Sequence, residues 1–581
     1  MSTPQTRPYC PSLLSVVARW LLHLLCVIAI AATVAALAMT FIFIRLENSW
    51  APSKKPTPDS SLSAEQLLER NEMAFFHGTI GTEVVPLPVI KVLPAMFPEH
   101  FQPRGKDAGD WVQQFGFIPS ARVPVKQPQG ESLEGLPLGF TISNYRPKSG
   151  APSPVKFVGL GCATCHTTLV RRGNSGEDPL VIGTGNTALN LFAWLDAFQA
   201  ALLDEKKLTM DTFESAYRDS GGELSFAEKT MISIWLKGTR AKIREDAEKF
   251  DEPYGHGLSI HPDIVPTGQA RTQPFRTLVR TALLRPGATM KVYTKIASVF
   301  WQELEHGRGQ FDGGILGLPR RSSGAAFAAG ATVQNMNIDE IAGNINWASD
   351  YLNRLKGKNN GKVWKFAEMF PGKAPESKAV ENGKTVYQFH CSKCHGQPDD
   401  GGNWISGKMQ GQMTVLETIG TDSERVTFRY YERIPDALSK MFPKGHYFDF
   451  PREDLFPSVE ELAKEDKNHL EKYRGYINKP IPLAFLRSPY LHNGSVLTLK
   501  ELINLAPRRQ VFYRGENAYD ADAVGLLSDN KQGPQLYFKF DTNIVGNSNK
   551  GHDYPWPRPQ VKGNQEKQKA LEDLLAYLKT F

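Results

Sequence analysis

Cys162-Ala163-Thr164-Cys165-His166 and Cys391-Ser392-Lys393-Cys394-His395 are the two stretches whose reading decides the fold. Two thiols separated by two residues reach the two vinyl-derived carbons on one edge of a single porphyrin. A histidine directly after the second thiol then turns its imidazole toward the iron as an axial ligand. The pattern predicts two covalent haem c groups, with Cys162, Cys165, Cys391 and Cys394 as attachment points and His166 and His395 as iron ligands. Two CxxC pairs also suit a Cys₄ zinc site or disulfides in an oxidising compartment. Neither alternative accounts for the histidine after each pair, or for the other two of the six cysteines, Cys10 and Cys26, both falling in the N-terminal apolar region.

Outward from the motifs, the two flanks differ. Residues 377–395 (SKAVENGKTVYQFHCSKCH) read as a short helix running into the second motif, with Ala379, Gly383 and Tyr387 on one face. The first motif follows PSPVKFVGLG, which has no helical period, so the N-terminal haem region is expected to be the more irregular. The intervals around 84–160 are rich in Pro and Gly and predict loops and short strands. Helices are expected over 187–203, 226–242, the run after Asn337 and Glu340 (a capping box), and around Leu571–Leu578. The fold class expected is mainly α, with two cytochrome c-like haem domains joined by long irregular loops.

The chain has 581 residues, 41% hydrophobic and 22% charged, which excludes wholesale disorder. The net charge of +7 is spread without long Lys/Arg blocks, so nucleic acid is not an expected partner. From Trp20 to Ile44 no formal charge occurs, and Arg7 and Arg19 precede the run. About 20 apolar residues cross a bilayer core, and positive charge favours the cytoplasmic side. The domain order expected is a cytoplasmic N-terminus (1–19), a transmembrane anchor (20–44), a linker (45–66), an N-terminal haem domain (67–356) and a C-terminal haem domain (357–581). A cleaved signal peptide is the alternative to the anchor. This order predicts a single-pass protein of the bacterial inner membrane with periplasmic haem domains.

The segments LPLGF (136–140), FVGLGCATCHT (157–167), GKTVYQFHCSKCHG (383–396), SPYLHNGSVLTL (488–499), VFYRGENAYDADAVG (511–525) and FDTNIVGNSNKGHDY (540–554) carry a family resemblance. The chain resembles dihaem c-type cytochromes that include the dihaem rubber oxygenases, with bacterial dihaem cytochrome c peroxidases and MauG as wider relatives. The resemblance implies His552 as the distal ligand of the C-terminal haem; a histidine in a surface loop is the plainer reading. It places His492 beside the same haem, in a packing or orienting role, and His390 at the haem edge. Phe300-Trp301 resembles an aromatic pair near the reactive haem, with core packing as the alternative; on the first reading Trp301 joins His166 as a catalytic residue. For the other face of the N-terminal iron, His256, His261, His306, Met290 and Met336 are all open candidates. A calcium ion between haems occurs in some wider relatives, but no acidic loop here marks one.

The function implied is a haem-dependent oxidoreductase, peroxidase- or oxygenase-like. The N-terminal haem activates peroxide or dioxygen, and the C-terminal bis-His haem transfers electrons from redox proteins or quinol-linked donors. The alternative is a pure electron carrier without substrate chemistry. Rubber cleavage itself is not implied.

Overall fold

The first motif hangs from the end of a β-strand, the second from the end of an α-helix. A computed structural model describes residues 20–34, 59–123, 135–147, 152–172, 177–250, 267–273, 292–299, 311, 325–326, 329–336, 338–355, 358–359, 362–427, 474–528 and 538–581. Strand Pro152–Leu160 is the centre of a three-stranded antiparallel sheet, between Val85–Pro86 and Phe140–Tyr145. Val155, Phe157 and Val158 are buried, anchoring the strand in a core with Phe117, Phe140, Trp194 and Phe198. The strand ends at Gly161, and Cys162–Cys165 forms a single helical turn. Gly161 donates its N–H to the Gly139 carbonyl at 2.7 Å. Gly139 has φ +83°, and a Cβ there would lie 2.1 Å from the Thr164 nitrogen, so only glycine fits this crossing.

Helix Ala64–His77 begins with a capping box, Ser63 and Gln66 each accepting the other's backbone N–H. It packs on helix Asp339–Leu355 through Phe75, Phe76, Ala348, Tyr351 and Leu352, and Ala163 of the first motif shares that cluster. Helix Leu191–Leu203 starts at Asn190, whose side chain accepts the Ala193 N–H. Phe226–Phe250 is helical, as its periodicity predicts.

In the second half, helix Ser377–His390 packs across the terminal helix Gln565–Leu578. A Cβ at Gly383 would lie 1.9 Å from the Asp573 carbonyl oxygen, so the missing side chain sets the crossing distance. Leu571, Leu574, Leu575 and Leu578 are buried here, at about 1.5–3 kcal/mol of burial each. Tyr387 donates its hydroxyl to the Gly396 carbonyl at 2.7 Å, tying the helix to the turn after the motif. Val170 and Val181 of the first half belong to this core. Thr184 and Arg514 bond to the Leu486 and Thr187 carbonyls, and residues 55–581 form one compact unit.

Two expectations need correction. The class is not mainly α: among the described residues the helices are interleaved with one three-stranded and seven two-stranded sheets. Most of these strands run two to four residues, too short to impose a visible alternation on the sequence. The transmembrane anchor over 20–44 is the second correction. Among the described residues no helix is long and apolar enough to cross a membrane. The described helical stretch, 20–34, rises about 22 Å against a hydrocarbon core of about 30 Å; residues 35–44 lie outside the described set. The single-pass inner-membrane placement falls with the anchor.

Candidate haem-attachment sites

Each motif histidine is held in the same way. Nδ1 of His166 lies 3.0 Å from the Ala297 carbonyl oxygen, and Nδ1 of His395 lies 2.6 Å from that of Lys479. A carbonyl only accepts, so both Nδ1 atoms carry the proton and both Nε2 atoms keep a lone pair. This is the tautomer and the fixed ring orientation that a metal-ligating imidazole needs. The backbone behind His166 is equally constrained: its carbonyl accepts the Gly183 N–H at 2.8 Å, and that of Cys165 accepts the Asn186 N–H at 2.7 Å.

All four motif cysteines are free thiols. Burial pushes Cys162 up to about 11 and Cys165 and Cys391 up to about 12, and it also raises Cys394. The thiols are therefore uncharged at neutral pH, which disfavours thiolate chemistry. Among the described residues no group of three or more His, Cys, Asp or Glu gathers to hold a bare metal ion. The zinc reading of the two CxxC pairs thus gains no support from the geometry.

His552 faces His395. The ring centres are 6.0 Å apart and the planes are inclined at 47°. With metal–nitrogen bonds of about 2 Å, and about 1 Å from nitrogen to ring centre, two trans imidazoles have centres about 6 Å apart. Nδ1 of His552 is buried with no hydrogen-bond partner. Burial, then the neighbouring His395 and Arg508, lower His552 to about 3, so its imidazole is neutral. Its loop is clamped: Arg508 Nη1 donates to the Asn549 and Gly551 carbonyls at 2.5 and 2.7 Å, and the His552 N–H donates to Ile419 at 2.8 Å. The residues fit an iron between two histidines.

His492 is buried, and its ring stacks on Tyr476 at 4.5 Å. The Tyr476 hydroxyl donates to the Asp422 carbonyl at 2.7 Å, so it accepts from His492 Nε2 at 3.0 Å. That nitrogen is therefore engaged with the phenol. His390 meets Trp556 edge-on at 5.0 Å. Met336 is fully buried. Trp301, Phe300, His256, His261, His306 and Met290 lie outside the described residues.

Several contributing groups carry no signal in the sequence. The Ala297 and Lys479 carbonyls act through backbone atoms, and Arg508 sits in an ordinary APRRQ run. His77, at the end of a helix packed on the first motif, is buried, and burial lowers it to about 4. An isolated histidine in AFFHG gives no hint of this.

No known family's sequence profile matches the chain. It is similar to the uncharacterized protein y4iJ of Sinorhizobium fredii (strain NBRC 101917 / NGR234), with 24% identity over 528 residues, covering 81% of this chain and 85% of that protein. A second protein of the same strain, the uncharacterized y4iM, is 27% identical over 255 residues, covering 38% of this chain and 54% of the relative.

Proposed function

We propose that the chain is a dihaem c-type cytochrome of the rubber-oxygenase-like kind, working as an oxidoreductase. The observation that carries this reading is the shared tautomer of His166 and His395, each holding a lone pair on Nε2 directly after a CxxC pair. Cys162 and Cys165 would hold one haem, and Cys391 and Cys394 the other. Haem iron, when bound, supplies one-electron exchange and, at an open coordination position, binding of a small oxidant. At the C-terminal motif, His395 and His552 would hold an iron between them, which would suit electron transfer rather than substrate binding there. Arg508 keeps His552 in place through the carbonyls of Asn549 and Gly551 just before it. At the N-terminal motif, His166 would hold the iron, and an open position there would take peroxide or dioxygen. Redox proteins or quinol-linked donors would supply the electrons.

Intact mass after denaturation tests the reading, using protein made in a host that attaches haem c. The mass should exceed that of the bare chain by two haem groups, with two haems per chain by pyridine haemochrome. A single haem, or zinc with none, overturns it.

A further inference from the structure

Arg271 is among the most deeply buried side chains of the molecule, at 2% exposure. Its guanidinium packs on two aromatic rings, with Cζ 4.9 Å from the centre of Tyr293 and 4.9 Å from that of Phe540. Nη2 donates to Asn547 Oδ1 at 2.8 Å. Nε and Nη1 are buried with no hydrogen-bond partner among the described residues. A buried guanidinium with two unmade hydrogen bonds is costly, and the cost is relieved by an acceptor carrying negative charge.

The surrounding charge points the same way. Arg514 is close enough to repel Arg271, and Arg271, Arg425 and Lys295 all act on His492. The carboxylate that acts on it is Asp422, and that side chain accepts the Glu424 and Ser548 N–H groups at 3.1 and 3.2 Å. The elements that hold Arg271 run on to the backbone that orients His166 and to the loop that carries His552. Arg271–Thr272 pairs with Thr294–Lys295, two residues before the Ala297 carbonyl that orients His166. Asn547 lies five residues before His552.

We infer that Arg271 receives a propionate carboxylate of one of the two haems through Nε and Nη1. This rests on the dihaem reading. The planar fork of arginine matches a carboxylate in two parallel N–H···O bonds, and packing on Tyr293 and Phe540 restrains the guanidinium.

The test uses the haem-loaded protein and compares wild type, Arg271→Gln and Arg271→Lys by redox titration and by the propionate bending bands in resonance Raman. Losing the cation leaves the carboxylate uncompensated and favours ferric iron. Arg271→Gln should therefore lower one midpoint potential, leave the other in place, and shift one propionate band. Arg271→Lys keeps the charge without the fork, so the band should shift while the potential moves less. If Arg271→Gln does not accumulate, the Raman band of Arg271→Lys decides by itself. Two attached haems with unchanged bands and potentials in both variants overturn the assignment while leaving the dihaem reading intact. A wild-type potential that moves on adding acetate or phosphate overturns it in favour of a soluble anion. A chain that attaches no haem overturns the dihaem reading itself.

Discussion

The two CxxCH segments share their chemistry and differ in almost everything that positions it. The first is launched from the central strand of a small sheet and held by loop crossings around Gly139 and Gly161. The second ends a helix whose crossing with the terminal helix is set by Gly383. Yet both histidines put Nδ1 on a backbone carbonyl contributed from far along the chain, 131 and 84 residues away. What the two sites hold in common is the state of the imidazole. The scaffold that delivers it is interchangeable, which is the general sense in which function belongs to sites. They also differ in the visible partner: His395 has His552 opposite it, whereas most of the candidates for the far side of His166 lie outside the described residues.

The largest expected effects come from the two glycines. Gly383→Val drives a side chain into the Asp573 carbonyl, and Gly139→Val adds a positive-φ penalty to a clash with Thr164. Each should cost about 3 kcal/mol of stability. Chemical denaturation followed at each haem band would show whether a lesion at one site loosens the other. Equal loss at both haems would fit the shared core, and loss confined to one would split the unit in two.

A comparable effect is expected from acid, acting on the first site through His77. Its value in the folded chain, about 4, lies below the ordinary 6.5. Between these values the unfolded chain binds the extra proton and the folded chain does not. Stability is therefore lost as pH falls from about 6.5 toward 4, by about 3 kcal/mol in total. Denaturation midpoints of wild type and His77→Gln should converge at pH 4 relative to their separation at pH 7. Parallel curves would show that His77 does not titrate with unfolding.

The smallest effects separate the orienting hydrogen bonds. Tyr387→Phe removes the bond to Gly396 and Tyr476→Phe the bonds to Asp422 and His492, each at about 1 kcal/mol. Thermal unfolding measures both. Tyr476→Phe should also perturb the spectrum of the His395 haem if His492 orients that region, and no spectral change would assign the pair to packing alone.

Much of the helical scaffold was legible because its signals are local. The face of Ala379, Gly383 and Tyr387 and the leucines of the last helix follow from short-range spacing, whereas the Asn190 cap that starts the helix expected over 187–203 does not; Asn337 of the expected capping box lies outside the described residues. The sheets were not, since two-residue strands have no period and are fixed by their partners. The anchor expected over 20–44 rested on hydropathy over the whole run, and among the described residues no helix is long and apolar enough to cross a membrane. At the sites, the cysteines and histidines of the two CxxCH motifs were written in the sequence. The carbonyls of Ala297 and Lys479 were not, because any residue but its geometry can supply a backbone oxygen. Arg271 was equally hidden, as its meaning lies in what surrounds it.

The central claim is that the C-terminal haem is closed by His395 and His552 while the N-terminal haem offers a coordination position. Ferric EPR and absorption spectra of the haem-loaded protein, with and without cyanide, in wild type and His552→Ala, test it most directly. The account predicts one low-spin haem in the wild type that ignores cyanide and one haem that binds it. His552→Ala should add a second cyanide-binding, high-spin haem. Two low-spin haems closed to cyanide in every oxidation state, or a His552→Ala spectrum identical to wild type, would contradict it.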